Sequence, residues 1–231
     1  MADEPLDGNL HRVTTADGSA TLHHPRFAQT YHSSHGALKE TRHVFLGLSR
    51  LEDRLTLGPV SVLEVGVGTG LNLVAAVSLA RAQGAVLHYT GIEREPQPAA
   101  LLRTLEFGAL PGIDAEVWEH FLHAIDARAT LVELPGGSTL RFHWDDLDRF
   151  DFDAHSFDVV FHDGFSPEMN PEVWTSQALQ KITAPLKPGG CLVTYTVQGD
   201  VRRALASIGL LVERLPGPTD GKRQVLRATK A

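Results

Sequence analysis

From residue 60 onward, short apolar runs alternate with longer segments in which apolar residues recur every three or four positions. The runs predict strands at 60–65, 86–93, 140–144, 157–162 and 191–196. The longer segments predict helices at 71–83, 98–107, 114–133, 171–184 and 200–208. Strands that alternate with helices are typical of parallel βαβ units, so this region predicts a mostly parallel α/β sheet.

The two ends of the chain depart from this alternation. Strands predicted at 210–215 and 224–228 are joined by Pro216 to Gly221, which is too short for a crossover helix, so the two strands must be antiparallel. Such a terminal hairpin on a seven-stranded sheet favours a Rossmann-like methyltransferase over an ordinary dinucleotide-binding domain. Near the N-terminus, residues 10–24 predict a small β-hairpin. We expect an N-terminal extension over 1–58 and the main domain over 59–231.

Composition narrows the possible classes of protein. The 231 residues, 42% of them hydrophobic, fit one α/β domain with a small extension. The net charge of −7 argues against a generally basic surface for nucleic acid, although a local basic patch is compatible with it. No apolar run approaches the ~20 residues that cross a bilayer, and the first residues lack a signal-peptide pattern. We therefore expect a cytoplasmic protein that does not contact a membrane.

Cysteine and histidine usage gives no sign of a disulfide or a metal site. The single cysteine, Cys191, opens an apolar run and is expected to be a buried strand thiol. The chain has 12 histidines, but none of them follows a metal-ligand spacing, so no metal is predicted.

A glycine-rich turn joins the first strand of the main domain to its helix. It runs Glu64-Val65-Gly66-Val67-Gly68-Thr69-Gly70-Leu71-Asn72, and its glycines allow a tight turn and a close approach to a ligand. The helix that follows offers unpaired N–H groups to a carboxylate, such as that of a methionine moiety. Leu71 stands where the dinucleotide motif requires its third glycine, so the spacing favours a methyl donor over NAD.

Three acidic residues follow the next strands. Glu93 ends the second strand and is positioned to bind ribose hydroxyls, and Asp146 after the third strand is a candidate acceptor for an adenine amino group. Asp163 ends the fourth strand and should face the same crevice as the glycine turn. An alkylamine is mostly protonated at neutral pH, so a carboxylate that accepts its proton would create the nucleophile for methyl transfer. A purely structural role for each acid in its turn is the alternative.

Three motifs in this order resemble the methyltransferase part of the MnmC family, and the resemblance extends from about Tyr31 to the C-terminus. They are Gly36-x-x-x-Glu40-Thr41-Arg42-x-Val44-Phe45-Leu46, the glycine turn, and Asp163-Gly164-Phe165-x-Pro167-x-x-Asn170-Pro171-x-x-Trp174.

The resemblance implies S-adenosylmethionine as cofactor and N-methylation of the 5-aminomethyl group of uridine, or 2-thiouridine, at the tRNA wobble position. It implies Asp163 as the catalytic acid or base. The chain ends without the oxidase domain that many relatives carry, so we expect a stand-alone form that depends on other enzymes to install the aminomethyl group. The implied cofactor-binding residues are Tyr31, Glu64, Gly66, Gly68, Thr69, Gly70, Asn72, Glu93, Asp146 and Asp163.

The tRNA anticodon loop is the expected macromolecular partner. Phe165 is a candidate for stacking on a flipped base, and Arg202, Arg203, Lys222 and Arg223 are candidate phosphate contacts. Tyr31, Ser33 and Glu40 belong to a segment that the resemblance places over the cofactor. Two other functions are compatible with these residues: a methyl- or aminopropyl-transferase acting on a small amine, and a non-catalytic nucleotide- or RNA-binding module.

Overall fold

The structure of the protein, a computed structural model, describes residues 5–6 and 10–231 of the chain. The main sheet has eight strands, which are β5 (Val60–Val65), β6 (Leu87–Ile92), β7 (Leu131–Glu133), β8 (Thr139–His143), β9 (Phe157–His162), β10 (Leu186–Thr194), β11 (Leu210–Pro216) and β12 (Gln224–Lys230). Their order in the sheet is β11-β12-β10-β9-β5-β6-β8-β7. The helices are α1 (Ala37–Glu40), α2 (Leu51–Leu57), α3 (Leu71–Ala82), α4 (Ala99–Arg103), α5 (Ala115–Asp126), α6 (Ser176–Thr183) and α7 (Gly199–Ser207).

The predicted fold class is confirmed. Strands β8, β6, β5, β9 and β10 are parallel, and β11 and β12 form the expected antiparallel hairpin at one edge. Strand β5 is buried on both faces: Val62 packs in one apolar cluster with α3 and α5, and Leu63 packs in the other with α6 and α7. A strand buried on both sides is expected for a parallel sheet covered by helices.

The eighth strand was not predicted from the sequence. The helix expected over 114–133 ends at Asp126, and β7 then pairs antiparallel with β8 at the sheet edge. Arg128 has φ +48°, a conformation that ends an α-helix, and the indole Nε1 of Trp144 donates to the carbonyl of Ala129 at 2.9 Å. Tertiary contacts therefore override the helical pattern after residue 126.

Two other predicted helices are divided. The segment 98–107 forms α4 and a separate 3₁₀ turn at Phe107–Ala109. The segment 171–184 forms a 3₁₀ turn at Pro171–Trp174 before α6, because Thr175 caps α6 by accepting a hydrogen bond from the N–H of Ala178 at 3.1 Å.

The N-terminal hairpin is confirmed, and it belongs to a four-stranded antiparallel sheet. Strands β2 (Leu10–Thr14) and β3 (Ala20–His24) are flanked by β1 (Pro5–Leu6) and β4 (Gln29–Thr30). A π-helix at Thr41–Gly47 continues α1. The π-helix places Phe45 in edge contact with Phe161 of the main sheet, with ring centroids 5.4 Å apart. No helix in the described residues has the length and apolar character to span a bilayer.

Candidate active site

A cleft of about 1450 Å³ opens where the parallel strands end. Its walls come from the glycine turn after β5, the loops after β6, β8, β9 and β10, the N-terminal sheet and the β11–β12 loop. Such crevices at the carboxyl ends of strands are the usual ligand sites of open α/β sheets. The predicted site residues that line the cleft are Tyr31, Gly66, Gly68, Thr69, Glu93, Asp146, Asp163, Phe165, Lys222 and Arg223.

The other predicted site residues lie outside the cleft surface. Glu64 is fully buried behind it, and Gly70 and Asn72 are also buried, at the start of α3. Arg202 and Arg203 lie on α7, where Arg203 pairs with Asp200. The described structure thus gathers most of the cofactor candidates at one place and leaves the two arginines of α7 apart from them.

The glycine turn packs directly against the loop that carries Asp163. Gly66 has φ +86°, and a Cβ at this position would lie 2.9 Å from the carbonyl oxygen of Asp163. Gly68 has φ +55°, and a Cβ there would lie 2.8 Å from the ring of Tyr31. Helix α3 begins at Leu71 without a side-chain cap, so no side chain satisfies its first N–H groups. The turn therefore fits the carboxylate of a methionine moiety.

Glu93, which follows β6, is hydrogen-bonded to the glycine turn. Its two carboxylate oxygens accept hydrogen bonds from the N–H groups of Gly68 at 2.9 Å and Glu95 at 2.8 Å. Burial raises the pKa of Glu93 and the two N–H groups oppose that shift. A carboxylate has about four acceptor positions, so Glu93 retains capacity for ribose hydroxyls.

Asp163 is oriented by a buried hydrogen-bond network. Its Oδ2 accepts from the amide Nδ2 of Asn72 at 2.7 Å, and the same nitrogen donates to Oε1 of Glu64 at 2.9 Å. The hydroxyl of Thr41 donates to the Asn72 Oδ1 at 2.7 Å, and that of Tyr89 donates to Oε2 of Glu64 at 2.8 Å. Asn72 therefore acts from behind the cleft wall by fixing the carboxylate of Asp163, which lines the cleft.

The environment of Asp163 suits proton transfer. Burial raises the pKa of this carboxyl well above its ordinary value, and the nearby charges of Glu40 and Glu64 add to the rise. The hydrogen bond from Asn72 and the charge of Lys222 oppose it. A carboxylate with a raised pKa is a stronger base than an exposed aspartate, so it can accept a proton from an ammonium group more readily.

The pH dependence of stability should reveal the proton that buried Glu64 retains. Burial raises the pKa of Glu64 to about 8. Between the ordinary glutamate pKa and that value the folded protein keeps a proton that the unfolded chain has released, so stability should fall as pH rises through this window. Relative to Glu64→Gln, the wild type should lose free energy of unfolding on the order of 1 kcal/mol per pH unit inside this window.

Urea unfolding of the wild type and Glu64→Gln at pH 5 and pH 8 measures this difference. The variant keeps both contacts, because its amide oxygen can accept from Asn72 and its NH₂ can donate to the hydroxyl of Tyr89. Burial lowers the pKa of His32 to about 4, which gives stability the opposite pH dependence. This contribution is the same in both proteins, so it cancels when one free energy of unfolding is subtracted from the other. A difference in free energy of unfolding that is the same at both pH values would contradict the prediction.

An aromatic cluster closes the cleft on the side of the N-terminal sheet. The ring of Phe165 stacks on Phe27 with centroids 4.4 Å apart and meets the edge of Tyr31 at 5.0 Å. Gln29 in β4 donates through Nε2 to the hydroxyl of Ser166 at 2.7 Å and accepts from its N–H at 3.2 Å. The N-terminal sheet is thus fastened to the loop after β9, and one face of Phe165 already has a protein partner.

Two contributions to the site carried no signal in the sequence. Arg94 bridges Asp146 at 3.2 Å and Glu172 at 3.3 Å, so the carboxylate of Asp146 already has a cationic partner at the rim of the cleft. Tyr195, at the end of β10, lines the cleft and donates its hydroxyl to the carbonyl of Gly164 at 2.8 Å. Neither residue belongs to a local motif, and only the folded sheet brings them to the cleft.

The fold and cleft define a Rossmann-like methyltransferase, and comparison with known proteins supports this class. The model of a family described as S-adenosyl-L-methionine-dependent methyltransferases matches residues 111–231. The chain belongs to this family, and its cofactor is S-adenosylmethionine.

Within this class the chain is similar to MnmC proteins, which confirms the resemblance found in its motifs. It is 35% identical over 216 residues to the bifunctional tRNA 5-methylaminomethyl-2-thiouridine biosynthesis protein MnmC of Aromatoleum aromaticum, covering 87% of this chain and 32% of that protein. The crystal structure of MNMC2 from Aquifex aeolicus matches with a TM-score of 0.82 and 28% identity, over 98% of this chain and 72% of that one.

The extent of these matches differs between relatives. The chain spans about a third of the length of the curated MnmC relatives, 32% for the protein of Aromatoleum aromaticum. Spermidine synthase from Thermotoga maritima matches with a TM-score of 0.57 and 13% identity, over 100% of this chain and 72% of that one, which shows a shared fold.

Proposed function

We propose that this enzyme transfers the methyl group of S-adenosylmethionine to the amino nitrogen of 5-aminomethyluridine, or its 2-thio form, at the wobble position of tRNA. One observation carries the proposal: the Asp163 carboxylate lines the same cleft as the glycine turn and is oriented by Asn72 at 2.7 Å. The similarity to proteins named for tRNA 5-methylaminomethyl-2-thiouridine biosynthesis supports the choice of nucleoside.

Different residues of the cleft would bind different parts of the cofactor. The glycine turn from Gly66 to Gly70 and the start of α3 would hold the methionine carboxylate, and Glu93 would accept the ribose hydroxyls. Tyr31 would cover the turn from the N-terminal sheet, and Asp146 would lie beside the adenine. When bound, S-adenosylmethionine supplies an electrophilic methyl group on its sulfonium sulfur.

Asp163 would act on the substrate's amino group. The carboxylate would accept a proton from the ammonium and leave a nitrogen lone pair for the displacement, with the proton held on an oxygen of Asp163. Its raised pKa favours that transfer, and the contact to Asn72 keeps the carboxylate from rotating away. The remaining barrier depends on alignment of the two reactants within the cleft.

We also propose how the chain is organised and how it contacts tRNA. Residues 59–231 would form the methyltransferase domain, and residues 1–58 would form an extension that contributes Tyr31 and Glu40 to the cleft. The anticodon loop would enter beside Phe165 and Arg223, both at the cleft surface. We also propose a functional link to the activity that installs the aminomethyl group, because the proposed substrate already carries it.

Methylation of defined tRNA tests the proposal directly. The protein is incubated with S-adenosylmethionine labelled in its methyl group and with tRNA whose wobble uridine carries a 5-aminomethyl group. We expect label in the 5-methylaminomethyl nucleoside after digestion and chromatography. Matched tRNA with an unmodified wobble uridine is the control and should remain unlabelled. A parallel incubation contains putrescine in place of tRNA, and label found in putrescine with none in tRNA would favour a small-amine methyltransferase instead.

A further inference from the structure

Lys222 places its ammonium group inside the cleft. The residue lies in the loop between β11 and β12, and its Nζ is 3.6 Å from the centroid of the Tyr195 ring. The same nitrogen is 3.7 Å from Oε1 of Glu40. Lys222, Glu40 and Tyr195 line the cleft together with Asp163. A primary ammonium therefore already lies between an aromatic face and a carboxylate in the candidate active site.

Glu40 is an unusual carboxylate because it is buried without full hydrogen bonding. Only 8% of its side chain is exposed. Its Oε2 accepts from the N–H of Ser33 at 2.9 Å, whereas no hydrogen bond from the described residues reaches Oε1. Glu40 lines the cleft, and the ammonium of Lys222 is the ion-pair partner of its Oε1 at 3.7 Å. Because a largely buried carboxylate without a partner is costly, a cation beside this oxygen stabilises it.

Tyr195 completes the surroundings of that cation. Its hydroxyl donates to the carbonyl of Gly164, the residue after Asp163, at 2.8 Å, which fixes the ring beside the catalytic candidate. A ring face within about 6 Å of a cation attracts it, and an aromatic face next to a carboxylate is a chemical combination that recognises alkylammonium groups. Glu40 and Tyr195 thus form a site for an ammonium adjacent to the proposed base.

We propose that the ammonium of Lys222 occupies the binding site for the substrate's amino group and that the substrate displaces it. The inference rests on the proposed function, because it takes the methyl acceptor to be a primary alkylamine. The aminomethyl group of such a substrate ends, like lysine, in a primary ammonium on a methylene carbon. Glu40 and Tyr195 are then positioning residues for the acceptor amine, and Asp163 removes its proton.

Displacement of Lys222 is sterically simple. Its side chain is 46% exposed, and its four-carbon stem is flexible, so the ammonium can turn into solvent when another cation arrives. Burial lowers the pKa of Lys222, while the charges of Glu40 and Asp163 favour its charged form. The lysine thus neutralises the acidic cleft in the absence of substrate and competes with the substrate amine for the same surroundings.

The variant Lys222→Met separates this role from a phosphate contact. If the lysine competes with the acceptor amine, its removal should lower the KM for aminomethyl tRNA by about threefold or more, with the Kd for S-adenosylmethionine unchanged. If the lysine binds a tRNA phosphate, the KM should rise and the salt dependence of binding should weaken by about one unit of slope. A raised or unchanged KM would overturn the inference.

Lys39→Met is the matched control. Lys39 also contacts the β11–β12 loop, through the carbonyl of Thr219 at 3.2 Å and the carboxylate of Asp220 at 4.0 Å, but it does not line the cleft. Its removal deletes the same charge from the same region and should leave KM within about twofold of the wild type, the usual range for a surface change. A fall in KM equal to that of Lys222→Met would show a general charge effect and refute the displacement.

Binding of a small alkylammonium ion to the cleft can be measured even if tRNA is not the substrate. Ethylammonium chloride is titrated into the protein while the ring signals of Tyr195 are followed by NMR. We expect saturable shifts in Lys222→Met, at least about threefold weaker binding in the wild type, and no saturation in Lys222→Met combined with Glu40→Gln. Equal binding to the wild type and Lys222→Met would overturn the proposal, whereas absence of tRNA methylation alone would overturn only the proposed function.

Discussion

Replacing Asp163 with Asn should lower the rate of methyl transfer by about 10²- to 10⁴-fold, the range for loss of a general base. An asparagine has nearly the same shape, and its amide oxygen can still accept from Nδ2 of Asn72, which bonds the native carboxylate at 2.7 Å. The fold and the affinity for S-adenosylmethionine should therefore persist. The change removes only the ability to take a proton from the substrate ammonium.

Single-turnover kinetics with aminomethyl tRNA and a calorimetric Kd for S-adenosylmethionine measure the two expectations separately. Asp158→Asn is the matched control, since Asp158 lies at the opposite end of β9. There its carboxylate accepts from the N–H of Ser61 at 2.8 Å and pairs with Lys187 at 2.8 Å. The control should retain near wild-type rates. If Asp163→Asn transferred methyl groups as fast as the control, Asp163 would have no catalytic role.

The second large effect is expected at Glu93. Glu93→Ala removes the carboxylate proposed to bind the ribose hydroxyls and also frees the N–H groups of Gly68 and Glu95 that it now holds. Hydrogen bonds to charged groups are each worth about 1.5–3 kcal/mol, so loss of one or two of them should weaken S-adenosylmethionine binding by about 10²-fold. Release of the Gly68 N–H would add to the loss, because the turn itself would become less ordered.

Calorimetry with S-adenosylmethionine provides the readout, with Glu119→Ala as its control. Glu119 is an exposed glutamate of α5, paired with Arg103 at 2.7 Å and remote from the cleft. The control should bind the cofactor as the wild type does. A Kd for Glu93→Ala within about threefold of that control would mean that the ribose is recognised elsewhere, since threefold is only about 0.6 kcal/mol.

Much of the fold could be predicted because local signals agree with the tertiary structure. β5 and β9 occupy the ranges expected from their apolar runs. The connection expected at 216–221 and found at 217–223 is too short for a crossover, so the terminal pair had to be antiparallel. The prediction of a helix through residue 133 was wrong because Val132 continues the apolar periodicity of α5 yet lies in β7. Periodicity carries no information about the hydrogen bond from Trp144 to Ala129, which stabilises the chain in a non-helical path after α5.

The candidate site was predictable where residues follow strands directly. Gly66, Glu93 and Asp163 all stand at the ends of parallel strands, and the topology of such a sheet brings these ends together at one edge. Tyr195 and the pairing of Lys222 with Glu40 could not be predicted in the same way. Their partners are distant in sequence, and their roles depend on which side of the cleft each loop covers.

The contact between Tyr31 and Gly68 shows that a residue outside the glycine motif constrains one of its glycines. A backbone at φ +55° is in the left-handed region, which asparagine also tolerates, so conformation alone does not demand glycine at residue 68. The packing of the Tyr31 ring over residue 68 favours glycine there, because a Cβ on residue 68 would lie 2.8 Å from the ring. We therefore expect residues 31 and 68 to vary together, so that a homologue without the aromatic ring could carry a residue other than glycine at position 68.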